Sequence, residues 1–346
     1  MVDIEQLADE VLEFYSQRIK SNYRIGVVIV APPGSGKSTI ANQLRDILNT
    51  RYSKYLTEQS ITSPALVGTR SENPMEIAKS LVSDLSEISK CQKEILNQNN
   101  GIFPERVEDF GFKPVKLTSN ESITVIGRGG IFNSIQLSPP TADCNNGSEN
   151  MAQVIPMDGF HLTRKCLDYF KDPTTAHKRR GSPSTFDSNN FLQLSKIIAN
   201  TMAIKPPVTK IYSNIYSDIS LTSRQDLPNI FVPGFDHSLK DPTCNQYCIS
   251  TSTRIVILEG LYLFHNEENW KEVYPILEET KAIFPCDIEI DLEATELRVA
   301  KRHLESGLVD SLEAGRRKFS ENDLLNAKLI LEKKLDVVGV HKIRND

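Results

Sequence analysis

One short stretch restricts the fold of this chain more than any other. Residues 24–31 read RIGVVIVA, the unbroken Val- and Ile-rich run that a parallel strand needs when helices cover both of its faces. The glycine-rich loop APPGSGKST begins at the last residue of this run, and apolar residues at helical spacing continue from Ile40 to Leu48. Strand, loop and helix in this order are the context of a phosphate-binding P-loop. The sequence therefore predicts an α/β protein built around this unit.

The residue types of this loop suit an anionic nucleotide. Successive backbone N–H groups from Gly34 to Lys37 can surround a phosphate, and the following helix adds its positive N-terminal end. We expect the Lys37 ammonium to contact the β- and γ-phosphates and the Ser38 hydroxyl to bind Mg²⁺, so ATP and Mg²⁺ are the predicted cofactors. Ala31 stands where this motif usually has glycine. The predicted nucleotide-binding residues are Ala31, Pro32, Pro33, Gly34, Ser35, Gly36, Lys37, Ser38 and Thr39.

Strand and helix patterns alternate through residues 1–50 and 151–346. This alternation is typical of a mainly parallel sheet with helices packed on it, so we predict a three-layer P-loop NTPase fold for these residues. Asp187 or Ser188 is expected to cap the helix that follows them. The predicted strands lie at 154–157, 254–258 and 288–290, and the predicted helices at 4–19, 191–202, 293–305 and 322–334.

Residues 51–150 have a different character and are rich in Ser, Asn and Glu. The stretch is too long for an ordinary connection, so we predict an inserted sub-domain. Within it we expect one helix in 77–96 and a hairpin whose strands, 123–126 and 131–137, flank the sequence GRGG. Residues 138–150 (SPPTADCNNGSEN) are expected to form an exposed, disordered loop.

Composition narrows the class of protein. The net charge of −5 and the pI of 5.8 argue against a nucleic-acid partner. No run approaches the roughly 20 apolar residues of a transmembrane helix, and residues 1–20 lack the apolar segment of a secretion signal. We therefore expect an intracellular protein of the cytoplasm. The six cysteines contain no C-x-x-C pair, which predicts free thiols in a reducing compartment.

Two acidic residues follow predicted strands directly. Asp158 comes directly after the strand at 154–157, and Glu259 comes directly after the apolar strand at 254–258. Ligands of parallel α/β sheets bind at the carboxyl ends of the strands, where a carboxylate can accept a proton or bind Mg²⁺. Asp158 also fits an ordinary Asp-Gly turn, and Glu259 also fits an ion pair with Lys37.

An ordered set of further motifs gives the chain a family resemblance. Together they resemble the kinase group that contains uridine kinase, phosphoribulokinase and bacterial pantothenate kinase, and most of all a fungal branch of ATP-dependent kinases. The resemblance covers about 24–50, 151–200 and 228–343, and residues 51–150 have no counterpart in the compact members. After the P-loop the motifs are PMDGFHL (156–162), KRRGSPSTFD (178–187), VPGFDHSLKDP (232–242), LEGLYLF (258–264), RVAKRHLESGL (298–308) and ENDLLNAKLI (321–330).

The resemblance implies a role for each matching residue. Asp158 matches the aspartate that engages the acceptor hydroxyl, Glu259 the acid near Mg²⁺, and Arg298 and Arg302 the basic residues of a lid at about 296–320 that folds over the ATP phosphates. The implied catalytic residues are Lys37, Asp158, Arg298 and Arg302, and the implied Mg²⁺ ligands are Ser38, Asp158 and Glu259. The resemblance also implies that Asn322, Asp323 and Asn326 lie near the nucleotide base. The implied residues of the acceptor pocket are His161, Arg164, Arg180 and His237.

Some of these residues have simpler interpretations. Arg298 and Arg302 are four residues apart on a predicted helix beside Glu296 and Glu305, so they could pair on a solvated face. Arg180 could belong to a solvated loop, and His237 could make a hydrogen bond within a turn.

The favoured function is ATP- and Mg²⁺-dependent phosphoryl transfer to an alcohol group of a small metabolite. The alternative is a nucleotide-binding regulator or assembly factor, or an NTP hydrolase, without a small-molecule acceptor. The presence of both Asp158 and Glu259 favours the kinase, because a binding switch has less need of a carboxylate on the acceptor side. The sequence does not identify the acceptor.

Overall fold

The computed structural model describes residues 2–61, 73–140, 150–206, 214–224 and 226–345. Most of the predicted exposed loop at 138–150 lies outside these ranges. Within them the backbone forms two five-stranded sheets and the helices that cover them. The strands are β1 (Ile25–Val30), β2 (Val115–Thr118), β3 (Ile123–Gly127), β4 (Gly130–Ser138), β5 (Ala152–Pro156), β6 (Asn229–Asp236), β7 (Asp241–Ile249), β8 (Ile255–Gly260), β9 (Ile283–Glu289) and β10 (His341–Arg344).

The first sheet is parallel throughout, in the order β10-β9-β1-β8-β5. Every residue of β1 and of β8 is buried. Because successive side chains of a strand point to opposite faces, complete burial means that both faces of the sheet are covered. This is the three-layer α/β arrangement that the sequence predicts, and it brings the carboxyl ends of β1, β5 and β8 to one edge.

The helices follow the amphipathic segments of the chain. Helices α1 and α2 pack on each other, and α2 also packs on β5 and β8, while α7 packs on α9. The helices are α1 (Ile4–Ser16), α2 (Lys37–Glu58), α3 (Pro74–Leu81), α4 (Lys90–Gln98), α5 (Arg164–Leu167), α6 (Pro173–Lys178), α7 (Ser188–Ala203), α8 (Ile215–Leu221), α9 (Trp270–Glu278), α10 (Leu292–Glu305), α11 (Leu312–Lys318) and α12 (Leu324–Glu332).

The second sheet is antiparallel, in the order β2-β3-β4-β6-β7. Strands β3 and β4 form the hairpin that was predicted around GRGG. Strand β4 then pairs with β6, with Gln136 opposite Phe231, so the sheet joins residues from both sides of the predicted boundary at 150. Ile135 and Leu137 of β4 belong to the same continuous core as β1 and β8. The division into a core and an insertion stays a prediction, but the two parts share a sheet and a core.

Two local predictions need correction. The single helix at 77–96 is wrong, because the chain forms α3 and α4 with a turn and a short extended segment between them. In that segment the Ile88 N–H donates to the carbonyl of Lys116 in β2 at 2.8 Å, and Ser89 then caps α4. These bonds satisfy backbone groups outside a helix, which helical periodicity cannot reveal. The helix predicted at 322–334 begins as a π-helical turn, Phe319–Asp323, and continues as α12.

The cysteines also differ from expectation. Cys91, Cys166, Cys244 and Cys286 are free, but Cys248 on β7 is disulfide-bonded. The prediction that all thiols are free is therefore wrong for Cys248. Sequence spacing detects only local cysteine pairs, whereas the fold can bring together cysteines that are far apart in the chain.

Candidate active site

The register of the parallel sheet gathers the predicted site at one edge. Pro156 of β5 lies opposite Glu259 of β8, and Glu259 lies opposite Ile29 of β1. Asp158 comes two residues after Pro156, and the P-loop begins just after β1. The P-loop, Asp158 and Glu259 therefore meet where parallel α/β sheets bind ligands.

The P-loop has the backbone conformation that its glycines permit. Gly34 and Gly36 have φ angles of 77° and 81°, in the left-handed region that favours glycine. Gly36 caps α2, and Lys37 is the first residue of that helix. The N-terminal end of a 22-residue helix therefore points at the loop, as an anion site requires. The predicted nucleotide contacts of Ala31, Pro32, Pro33, Ser35 and Thr39 stay predictions.

Glu259 and Ser38, the predicted Mg²⁺ ligands, form a hydrogen-bonded pair beside the P-loop. The Ser38 hydroxyl donates to Glu259 Oε1 at 3.0 Å. Glu259 is only 4% exposed, and its Oε2 atom has no hydrogen-bond partner. Burial raises the pKa of this carboxyl, the charge of Lys37 opposes the shift, and Asp158 adds to it. An unpartnered carboxylate oxygen beside a hydroxyl suits Mg²⁺, which prefers oxygen ligands.

Among the described residues, no group of three or more His, Cys, Asp or Glu side chains could hold a metal ion. Mg²⁺ in nucleotide sites commonly uses one or two protein oxygens together with phosphates and water. The pair of Ser38 and Glu259 therefore fits Mg²⁺ bound together with a nucleotide.

Asp158 lies in a 3₁₀ turn, Met157–Phe160, directly after β5. Its side chain is 39% exposed, so the carboxylate can reach a ligand. A Cβ atom on Gly159 would lie 2.0 Å from the carbonyl oxygen of Pro233, and this contact requires glycine. The Asp-Gly turn and the exposed carboxylate are thus both present, and the turn presents Asp158 at the sheet edge.

His161 lies beside Asp158 and is mostly enclosed. Its Nδ1 atom is 2.9 Å from the Asp158 carbonyl oxygen and 3.9 Å from Asp158 Oδ1. The imidazole ring stacks near Phe186 and Phe235, with centroid distances of 4.0 and 4.9 Å. Burial lowers the pKa of His161 despite the nearby Asp158 carboxylate. The His161 ring is therefore neutral near pH 7. A neutral ring suits a role in positioning the turn that carries Asp158.

Arg180 makes structural contacts. Its guanidinium donates to the carbonyl of Leu162 at 2.9 Å, to Asp241 Oδ1 at 2.7 Å and to the carbonyl of Lys240. It is therefore neither a solvated loop residue nor a free cation, since it ties its loop to the start of β7. Its predicted role in the acceptor pocket stays a prediction.

Arg164 and His237 lie close to the contacts of Arg180. The backbone N–H of Arg164 donates to Asp241 Oδ1, which also accepts from Arg180, and the Arg164 side chain is exposed. His237 is also exposed, with its ring 5.3 Å from that of Phe235. The structure thus brings the four predicted acceptor residues to the region around Phe235 and Asp241.

Arg298 and Arg302, the two predicted lid arginines, differ in their surroundings. Arg298 of α10 is half-buried and donates through Nη1 to the carbonyl of Asn345 at 2.8 Å, whereas Arg302 is exposed. The ion pair of Glu296 is with Arg316, at 3.7 Å, not with either of these two arginines. Helix α10 packs directly against the P-loop, because a Cβ atom on Gly34 would lie 2.6 Å from Val299 Cγ2. The closing motion of the lid stays a prediction.

The polar residues of α12 and the π-helical turn contact Arg179. Its guanidinium donates to Asn322 Oδ1 at 2.7 Å and to Asn326 Oδ1 at 2.9 Å. These contacts link the π-helical turn and α12 to the loop that carries Arg179. Asp323 lies on the same turn, and its Oδ2 atom is 3.9 Å from His303 Nε2. Burial raises the pKa of the Asp323 carboxyl. The implied contacts of Asn322, Asp323 and Asn326 with a nucleotide base stay predictions.

Sequence reasoning missed two residues that organise the site. The buried Tyr262 donates its hydroxyl to the carbonyl of Gly181 at 2.6 Å, which fixes the loop after Arg180. Asn345 donates to the carbonyl of Ser35 in the P-loop at 2.7 Å. Tyr262 lies inside the LEGLYLF motif, which is a signal that could have been used, whereas nothing in the sequence around Asn345 marks it.

Two relatives of the chain are similar to it along its whole length. ATP-dependent kinase YFH7 of Saccharomyces cerevisiae strain S288c is 49% identical over 360 residues, with 100% of each chain covered. ATP-dependent kinase YFH7 of Vanderwaltozyma polyspora is 46% identical over 367 residues, again with 100% of each chain covered. No protein-family model matches the chain.

Solved structures point in the same direction. The crystal structure of YFH7 from Saccharomyces cerevisiae, described as a proposed P-loop-containing kinase with a circular permutation, has a TM-score of 0.90 and 49% identity, and 100% of each chain is covered. A proposed fructose transport system kinase from Silicibacter sp. TM1040 has a TM-score of 0.52 and 19% identity over 99% of each chain, which supports the fold alone.

Within the described residues, no helix has the length and apolar character that crossing a membrane would take.

The fold and the degree of identity together confirm the predicted resemblance to a fungal branch of P-loop kinases. Identity of 46–49% along the whole chain far exceeds what a shared fold alone would give. The chain belongs to the family of ATP-dependent kinases named YFH7.

Proposed function

We propose that this protein catalyses ATP- and Mg²⁺-dependent phosphoryl transfer to an alcohol group of a small metabolite. One observation carries the proposal: the partly exposed carboxylate of Asp158 lies at the same sheet edge as the P-loop and the Ser38–Glu259 pair. A donor site for a nucleotide and a separate carboxylate for an acceptor hydroxyl are the two parts that phosphoryl transfer needs.

On the donor side, the backbone N–H groups of the P-loop and the Lys37 ammonium would bind the phosphates. Ser38 and Glu259 would hold Mg²⁺, which when bound neutralises charge on the transferring phosphoryl group. Because Glu259 is buried, its carboxylate is pre-positioned and needs little reorganisation when the metal binds. Arg298, already at the edge of the loop, would add positive charge near the phosphates.

On the acceptor side, Asp158 would orient the alcohol and accept its proton. The neutral His161 ring next to it would hold the turn in place, because its Nδ1 atom lies within hydrogen-bonding distance of the Asp158 backbone carbonyl. The transition state of phosphoryl transfer is loose, so positioning and charge stabilisation account for most of the catalysis. These residues can supply both.

A screen of alcohol-bearing metabolites tests the proposal. Sugars, phosphorylated sugars, nucleosides and pantothenate-like acids would be incubated with the protein, Mg²⁺ and ATP, and ADP formation measured against the rate without acceptor. We expect one chemical class to raise ADP formation well above background hydrolysis. An ADP rate that no alcohol changes would favour an NTP hydrolase or a nucleotide-binding regulator.

Glu259→Gln tests the metal site and carries a signed pH dependence. The folded-state pKa of Glu259 is raised by burial, so its contribution to stability is present below the ordinary Glu pKa of about 4.3 and is lost as the pH rises through the raised value. Glutamine removes this loss. Without metal at neutral pH we therefore expect the variant to unfold at the same temperature as wild type or higher, while the Mg²⁺ affinity of the ATP complex falls roughly 10- to 100-fold.

Thermal unfolding in EDTA from pH 5 to 8 and Mg²⁺ titrations of ATP turnover measure the two effects. Glu76→Gln is a matched control, since Glu76 is exposed and, among the described residues, forms its ion pair with Lys79 of the same helix α3, at 2.7 Å. Wild-type Mg²⁺ dependence in Glu259→Gln would remove Glu259 from the metal site.

A further inference from the structure

Asn345 contacts three parts of the site at once. Its side-chain Nδ2 donates to the carbonyl of Ser35 at 2.7 Å, its backbone N–H donates to the carbonyl of Glu289 at 3.2 Å, and its own carbonyl accepts from Arg298 at 2.8 Å. Glu289 ends β9, which pairs with β10. Asn345 therefore connects the P-loop to the rigid sheet on one side and to helix α10 on the other.

The side-chain contact acts on a peptide of the P-loop that is next to a glycine. Ser35 lies between two glycines with positive φ angles, Gly34 and Gly36, and glycines allow a peptide plane to rotate at little cost. In a trans peptide the carbonyl and the following N–H point in opposite directions. A hydrogen bond that holds the Ser35 carbonyl toward Asn345 therefore holds the Gly36 N–H away from Asn345.

The contact is close as well as directional. A Cβ atom on Gly36 would lie 2.8 Å from Asn345 Nδ2, so the amide fits against a position that only glycine leaves open. The Gly36 N–H is one of the backbone donors that surround the nucleotide phosphates in a P-loop. Its direction decides whether it can donate to them.

We propose that Asn345 is a positioning residue for nucleotide binding: its amide fixes the Ser35–Gly36 peptide so that the Gly36 N–H points at the β-phosphate, and its carbonyl holds Arg298 at the rim of the same loop. One residue after β10 thus couples the phosphate loop to the lid helix. The inference rests on nucleotide binding at the P-loop, which the proposed function shares, and not on the identity of the acceptor.

Two substitutions separate positioning from simple packing. Asn345→Ala removes the amide but keeps the backbone carbonyl that accepts from Arg298. Asn345→Asp keeps the shape of the side chain, but a carboxylate cannot donate to the Ser35 carbonyl and adds negative charge near the phosphates. We expect the Kd values of ADP and ATP to rise about tenfold in the alanine variant and further in the aspartate variant.

The probes are ADP, ATP and AMP, measured by titration calorimetry. AMP lacks the β-phosphate, so its affinity should change little and the ratio of the AMP Kd to the ADP Kd should fall about tenfold. A partly unfolded variant would lower the apparent number of binding sites for all three nucleotides without changing this ratio. The matched control is Asn49→Ala, because Asn49 also makes amide contacts with a backbone, that of Ala152, at 2.9 and 3.0 Å.

The outcomes are distinct. The inference is supported if both Asn345 variants lower the AMP-to-ADP ratio while Asn49→Ala leaves it unchanged. It is overturned if Asn345→Asp binds ADP with wild-type affinity, or if all three nucleotides weaken equally in the Asn345 variants. If Lys37→Ala also leaves ATP binding unchanged, the nucleotide site of the proposed function fails, whereas loss in Lys37→Ala alone contradicts only the role of Asn345.

Discussion

Asp158→Asn is expected to leave Mg-ATP binding intact and to slow acceptor phosphorylation by a factor on the order of 10²–10⁴. The substitution keeps the size of the side chain and removes the charge that would accept the proton of the acceptor hydroxyl. The turn itself should persist, because His161 contacts the backbone carbonyl of residue 158 and Gly159 packs against Pro233 through backbone atoms. The loss should therefore appear in turnover and not in folding.

The measurement is paired: ATP affinity by titration, and phosphorylation of the acceptor found in the screen. Asp84→Asn is a suitable control, since the Asp84 side chain is also exposed, at 52%, and its contacts, with Lys196 and Gln193 at 3.5 Å each, lie away from the sheet edge. If Asp158→Asn also weakens Mg²⁺ binding, Asp158 is a metal ligand as well as an acceptor residue. Turnover equal to wild type would make Asp158 an ordinary turn residue.

Lys37→Ala is expected to remove most Mg-ATP binding, with a rise in Kd on the order of 100-fold. The ammonium is the point charge of the P-loop, and its loss leaves the β- and γ-phosphates with backbone donors only. The pKa of Glu259 should also change, because burial raises it and the positive charge of Lys37 opposes that rise. Loss of Lys37 would therefore make the Glu259 carboxylate harder to ionise and weaken the metal site indirectly.

Titration calorimetry of the wild type and the variant decides this prediction. Lys54→Ala, on the same helix α2, is the matched control, since Lys54 is 74% exposed and faces Glu58 at 3.8 Å. Equal ATP affinities for wild type and Lys37→Ala would contradict the assignment of the loop, whatever the acceptor is.

The central part of the fold could be predicted because its requirements are local. A strand covered on both faces must be apolar at every position, and the stretch that became β1 shows this directly. The P-loop needs glycine where the backbone takes positive φ angles, and Gly34 and Gly36 meet that need. Likewise, the cap of α7 is Asp187, which accepts from the Asn190 N–H at 3.0 Å, because helix caps depend on residues a few positions apart.

The rest of the fold depends on contacts between distant residues. The pairing of β4 with β6 joins Gln136 to Phe231, and no local pattern near residue 136 indicates that partner. The break between α3 and α4 arises because the backbone near Ile88 bonds to Lys116. Periodicity reports which residues face a core, but it does not report which strand lies next to which.

The site residues also fall into those that local patterns predict and those whose contacts depend on distant parts of the chain. Asp158 and Glu259 could be placed because each follows a recognisable strand, and parallel strands end at one edge. The contacts of Arg180 could not be predicted, since its partners Leu162 and Asp241 come from different parts of the chain. Asn345 likewise acts on Ser35, from which it is separated by most of the sequence.

The most direct test of the proposed chemistry is the fate of the γ-phosphoryl group. Wild-type protein and Asp158→Asn would be incubated with Mg²⁺, γ-labelled ATP and the acceptor from the screen, and the label would be followed into organic phosphate ester and inorganic phosphate. We expect wild type to transfer the label to an ester, and we expect the variant, although it still binds ATP, to do so more slowly by a factor on the order of 10²–10⁴. Label that reaches only inorganic phosphate, at equal rates in both proteins, would contradict this expectation.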